Sequence, residues 1–139
     1  MNLSKVEILK LIHEWLIAWD EHDLEGVISL MDENIVFENW TGATIIGKNN
    51  LQKAWAPWFR NHGNFKFTKE DIFVDQQEQK VLFSWSLQWP SPEKDFKGKT
   101  EVRRGVDVLH FKNGKICQKY SYSKTTIQID SFQVALTAQ

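Results

Sequence analysis

Apolar positions recur at helical spacing over the first sixty residues and alternate with polar ones over most of the rest. Ser4 followed by Glu7 is a capping box, and Ile8, Ile12, Trp15, Leu16 and Trp19 then share one helical face, which predicts a first helix from about Lys5 to Glu21. His22-Asp23 breaks that pattern, and Asp23 can cap a short second helix through Leu24, Val27, Ile28 and Met31. Ile35 to Trp40 alternates as a strand, Thr41-Gly42 turns, and Thr44-Ile45-Ile46 forms a second short strand before Gly47. A third helix, capped by Asn49 or Asn50, carries Leu51, Trp55, Trp58, Phe59 and His62, with Pro57 kinking it or opening its last turn.

From Phe65 the pattern is that of strands. Phe65 to Thr68 continues through Ile72-Phe73-Val74 to a polar turn, and Val81, Phe83, Trp85, Leu87 and Trp89 then occupy one face of a strand that Pro90-Ser91-Pro92 ends. Glu101 to Lys124 holds two alternating runs joined by Asn113-Gly114, residues that accept the positive φ angles of a type I′ turn, so a long antiparallel hairpin is predicted at the centre of the chain. Residues 130–139 carry Phe132, Val134 and Leu136 and either dock on the body or fray. Helices first and antiparallel strands after them make the α+β class, as a single domain over 1–139 with its core within about 4–129.

Charge and composition narrow the function. A net charge of −1 without a long basic run disfavours nucleic acid and anionic membrane as partners, and Lys112, Lys115, Lys119 and Lys124 read as a solvated face. The single cysteine, Cys117, cannot form an internal disulfide, and Lys5, Glu7 and Lys10 interrupt any signal-peptide core, so a reduced, cytoplasmic location is expected. Four scattered histidines lack metal-ligand spacing, and neither a phosphate loop nor a nucleophile elbow is present, so no metal and no cofactor is expected. Seven tryptophans and nine phenylalanines are the unusual feature; such rings fill a core or line a cavity for a flat apolar ligand.

Gly105 to Phe111 is apolar almost throughout except at Asp107. A carboxylate facing an apolar interior needs a donor or a cation beside it, or burial drives it toward its neutral form. Asp107 is therefore the candidate general acid or base, against a structural alternative in which it pairs with Arg103 or Arg104. Alternation places Arg103, Asp107, Leu109 and Phe111 on one face, and sets Ile116, Gln118, Tyr120 and Tyr122 opposite them.

The order of elements resembles the nuclear transport factor 2-like superfamily, and its details are most similar to the SnoaL-like, polyketide cyclase-like branch. The pieces that carry the resemblance are Asp23 opening helix two, Asp32-Glu33-Asn34-Ile35-Val36-Phe37 entering the first strand, Gly47 before helix three, and Arg104-Gly105-Val106-Asp107-Val108 running to Asn113-Gly114-Lys115-Ile116. It implies a cone-shaped α+β barrel, three helices packed on a curved antiparallel sheet, an apolar pocket at the open end and a homodimer through the outer sheet face. In the similar ketosteroid isomerases a tyrosine, an aspartate base and a late aspartic acid act together. Those positions fall here on Trp15, Asn39 and Asp107, and an amide cannot abstract a proton from carbon at neutral pH. The carboxylate that many cyclase-like members carry after the last strand falls on Lys124 or Ser123.

The expected site is thus Asp107, with Tyr122 and Asn39 as further catalytic candidates, and Trp15, Trp19, Phe37, Asn39, Trp55, Trp85, Arg103 and Tyr122 around a small apolar or aromatic ligand. Two functions stay open: an isomerase, cyclase or lyase built on Asp107, or a non-catalytic ligand-binding or dimerising module. With Asp107 facing inward, Val106, Val108 and His110 must face outward, beside Leu82, as the dimer surface.

Overall fold

The computed structural model describes residues 2–136. Two helices open the chain, α1 (Lys5–Asp20) and α2 (Leu24–Ser29). Ser4 and Glu7 close the predicted capping box on α1, and the Asp23 side chain accepts from Gly26 N–H to start α2. Strands β1 (Met31–Glu38) and β2 (Thr44–Ile46) lead to α3 (Lys48–Arg60). The N-cap of α3 is Gly47, at φ +96°, and not an asparagine; Asn50 instead donates its side-chain amide to Ile46 O. Pro57 sits in the last turn of α3, and the helix ends at Arg60, before His62.

The remaining strands are β3 (Lys66–Asp75), β4 (Lys80–Pro90), β5 (Thr100–Lys112), β6 (Lys115–Ser123), β7 (Thr126–Ile129) and β8 (Phe132–Ala135). They form one sheet in the order β2-β1-β6-β5-β4-β3, with the β7–β8 hairpin attached to the start of β5 at Glu101 and Val102. The long hairpin is at its centre, and Asn113 and Gly114 both have positive φ, as a type I′ turn requires. The tail docks: Phe132–Ala135 pairs with β7, while 137–139 lie outside the described residues.

The sheet is not wholly antiparallel, because β1 runs parallel to β6. Register breaks occur in β1, between Lys69 and Ile72 of β3, and between His110 and Phe111 of β5. Each such irregularity bends a strand and increases its twist, and together they curl the sheet into a half-barrel around the helices, the cone expected from the sequence. The core lies between the concave face and the three helices, with Ile8, Ile12, Leu51, Trp85, Leu87, Leu109 and Ile116 almost fully buried. Gly105 lets the Trp85 ring lie against the backbone: a Cβ there would sit 2.1 Å from Tyr122 O and 2.6 Å from the ring.

Candidate functional site

The break between His110 and Phe111 changes which residues of β6 face inward. Ile116 opposes Phe111, but beyond the break Lys119 opposes Leu109 and Ser121 opposes Asp107. The inward pair is therefore Lys119 and Ser121, and Tyr122 opposes Val106 on the convex face, 49% exposed. Strict alternation from Ile116 expects the reverse, placing Tyr122 at the site and Lys119 in solvent. One extra residue in a ladder inverts every side chain after it.

Asp107 is 4% exposed and Lys119 6%. Lys119 Nζ lies 3.0 Å from Asp107 Oδ2 and donates to Ser121 Oγ at 2.9 Å, while Trp85 Nε1 donates to Asp107 Oδ1 at 3.0 Å. The carboxylate thus has both the cation and the donor that burial demands, and the cation is neither Arg103 nor Arg104. The ammonium also sits 5.0 Å from the Phe37 ring centre and 5.7 Å from that of Trp55, close enough for cation–π attraction.

These polar groups close the floor of a cavity of about 190 Å³. Its walls are Trp19 from α1, Trp55 and Trp58 from α3, Phe37 from β1, and Phe67 and Trp85 from the sheet. Asn39, Trp40 and Trp89 complete it. The rings meet mostly edge to face, as between Trp19 and Trp55 at 5.2 Å and between Phe37 and Trp55 at 5.1 Å, so each wall holds its neighbour in place. A void of about 20 Å³ lies behind the ion pair, room for one water.

Of the residues expected at the site, Asp107, Asn39, Trp19, Phe37, Trp55 and Trp85 line this cavity and three do not. Trp15 packs behind Trp19, its indole donating to Val27 O, because its helical position faces α2. Arg103 is buried but turned to other partners, donating through Nε to Glu101 at 3.1 Å and through Nη2 to Glu93 at 3.1 Å. Its guanidinium lies 4.8 Å from the Trp40 ring centre and 5.9 Å from that of Trp89, so it props two wall residues from behind. Glu101, wholly buried, also accepts from the Trp89 indole and from Ser91 Oγ, which ties the loop after β4 to the sheet. Tyr122 is the third, on the convex face.

Sequence reasoning missed Lys119, Ser121, Trp40, Trp58 and Phe67 as lining residues. Nothing within β6 marks Lys119 as inward-facing: its direction follows from the break in pairing with β5, which brings it opposite Leu109 and beside Phe37 of β1. Among the described residues no cluster of three metal-ligating side chains occurs, and no helix is long and apolar enough to cross a membrane.

The family model for the SnoaL-like domain matches residues 12–119. The chain belongs to the SnoaL-like domain family. No curated protein matches it in sequence. Solved structures share its architecture: an NTF2-like protein of unknown function from Mesorhizobium loti superposes with a TM-score of 0.70 at 20% identity, over 89% of this chain and 96% of that one. A Mycobacterium tuberculosis protein in complex with estradiol-17β-hemisuccinate gives 0.69 at 21% identity, over 84% of this SnoaL-like chain and 92% of its own. TerC co-crystallised with polyporic acid gives 0.70 at 15% identity, over 86% and 92% respectively. At such identities the likeness is one of fold. The site of this SnoaL-like protein has to be judged on its own side chains.

Proposed function

We propose that this SnoaL-like protein holds a small, flat, largely apolar molecule in the aromatic cavity, with the molecule's polar group against Lys119, Ser121 and Asp107. The observation that carries this reading is the aromatic enclosure around one buried ion pair, apolar walls with a few convergent polar groups being the usual make-up of a ligand site. A cavity of about 190 Å³ is little larger than the roughly 150 Å³ void that accepts benzene, so one ring, or two fused rings, is the size it takes. Neighbouring structures of the same fold that contain small molecules give the reading further support. A net charge of −1 and one free cysteine favour such a ligand, in the cytoplasm, over nucleic acid or membrane.

Isomerase, cyclase or lyase chemistry at Asp107 is the second reading, supported by the Asp107–Lys119–Ser121 chain, along which a proton can pass between carboxylate, ammonium and hydroxyl. Turnover separates the two readings. A library of one- and two-ring aromatics, screened by thermal shift, tests both: binders raise the melting temperature, by about 2.7 kcal/mol of stability at a hundredfold excess over Kd. Asn39→Phe, which places a ring in the cavity mouth, should abolish the shift. Shifts that survive that change would place the ligand elsewhere.

We also propose a two-fold dimer through the convex face. Phe73, Leu82, Val108 and Tyr120 lie in register across four strands, and Val106 and Tyr122 beside them, with Phe73 65% and Tyr122 49% exposed. With His110 at its end this row is a self-complementary apolar surface, and a stable dimer would bury roughly 1,200–2,000 Å². Sedimentation at micromolar concentration should show a dimer that Val108→Glu converts to monomer; a wild-type monomer rejects it.

A further inference from the structure

The polar groups of the cavity are unevenly spent. Both oxygens of Asp107 already accept, one from Trp85 and one from Lys119, and Asn39 Oδ1 accepts the Trp40 backbone N–H at 2.9 Å. What remains on the donor side is larger. Among the described residues the Asn39 side-chain amide N–H groups have no partner. Ser121 Oγ receives a hydrogen bond from Lys119 and keeps its own proton to give, and the ammonium, with three N–H groups, uses two on Asp107 and Ser121. The indoles of Trp19 and Trp55, which line the cavity, likewise have no hydrogen-bond acceptor among the described residues. The site is therefore richer in unspent donors than in free acceptors.

Its charge is balanced as well. The positive charge of Lys119 is matched by Asp107 at 3.0 Å, with both groups buried. An anion entering this cavity would bring an uncompensated negative charge into an apolar enclosure, and an ammonium would bring a positive one.

We infer that the ligand of this cavity is a neutral aromatic molecule bearing a carbonyl oxygen, of the aryl ketone, aryl aldehyde or quinone class, and that aryl carboxylates and aryl amines are rejected. The inference rests on the pocket reading above and adds the chemistry of the polar group. The carbonyl oxygen accepts from Lys119 Nζ, the Ser121 hydroxyl or the Asn39 amide while the ring lies among the indoles. A hydrogen bond from a charged donor in such surroundings is worth about tenfold or more in affinity. An ammonium finds the Asp107 charge already matched by Lys119 and brings a second positive charge beside it.

Isothermal titration calorimetry with four probes of nearly equal size decides the matter: acetophenone, ethylbenzene, benzoate and benzylamine. Acetophenone should bind at least tenfold more tightly than each of the others. If ethylbenzene binds as tightly as acetophenone, the cavity takes apolar rings but the carbonyl preference is overturned. If benzoate or benzylamine equals acetophenone, the charge argument is overturned. If none of the four binds, the pocket reading fails, and this inference with it. Two variants locate the effect. Asp107→Asn leaves the Lys119 charge unmatched while keeping an oxygen for Trp85, and benzoate affinity should then rise tenfold or more. Asn39→Ala removes a donor at a half-buried loop position and should lower the acetophenone-to-ethylbenzene affinity ratio at least threefold. A ratio unmoved by Asn39→Ala together with no gain for benzoate in Asp107→Asn would overturn the assignment even if acetophenone binds.

Discussion

Lys119→Met is the sharpest perturbation of the site. Methionine approximates the length of the lysine stem and keeps its packing against Phe37 and Trp55, so what is lost is the charge 3.0 Å from Asp107 Oδ2. Asp107, 4% exposed, is left with the Trp85 indole alone. Removing one partner of a buried ion pair costs about 3–5 kcal/mol. A chain of 139 residues has a total stability of roughly 7–20 kcal/mol, so the loss is a large fraction of it. Urea denaturation monitored by circular dichroism reads it as a fall in midpoint at constant slope. The double variant Lys119→Met/Asp107→Asn removes both charges and keeps an oxygen facing Trp85 Nε1. It should recover most of the loss, because a neutral replacement of a buried pair is often no less stable than the pair. The coupling energy of the complete cycle should exceed about 2 kcal/mol. A single variant costing under about 1 kcal/mol, or a double variant whose cost equals the sum of the singles, would refute a desolvated, mutually dependent pair.

Gly105→Ala should destabilise the fold by about 3 kcal/mol or more, since its Cβ collides with Tyr122 O and the Trp85 ring; unchanged stability in denaturant would show that the strand is not held this closely. The Glu7 carboxyl is held below its ordinary value of 4.5 by the backbone N–H and hydroxyl of Ser4. A depressed folded value means that the cap contributes fully above the unfolded pKa and loses that contribution as pH falls through the lower, folded one; hydrogen exchange in the first turn of α1 should quicken over that acid range, and Glu7→Gln should abolish the pH dependence. Burial pushes the Cys117 thiol above its usual value, so its alkylation by iodoacetamide at pH 7.5 should be slower than that of a free thiol, and a rate equal to that of a model peptide would contradict its placement.

Much of the fold was legible because its signals are local. The Ser4–Glu7 box, the Asp23 cap and the Asn113-Gly114 turn each depend on a few neighbouring residues, and each is where the sequence places it. Asp107 stood out for a similar reason, as a single charge within an apolar strand. Lys119 did not, because its inward direction depends on a break in the pairing of β5 with β6, and a break in pairing belongs to two strands and is written in neither alone. The same break accounts for Tyr122 on the convex face. Arg103 does share its inward face with Asp107, but whether such a side chain meets the cavity or turns back to Glu101 and Glu93 is decided by the loop after β4, which alternation does not describe. The parallel pairing of β1 with β6 is likewise a matter of long-range topology.

The central claim is that the cavity bounded by six of the seven tryptophans is a ligand site. Seven indole N–H signals in a ¹H–¹⁵N correlation spectrum, assigned by single Trp→Phe variants, report on it residue by residue. On titration with acetophenone, the signals of Trp19, Trp40, Trp55 and Trp58 should move together and saturate along one isotherm. That of Trp15, bonded to Val27 O outside the cavity, should move least. Shifts that fail to saturate, or that are largest at Trp15, would contradict it.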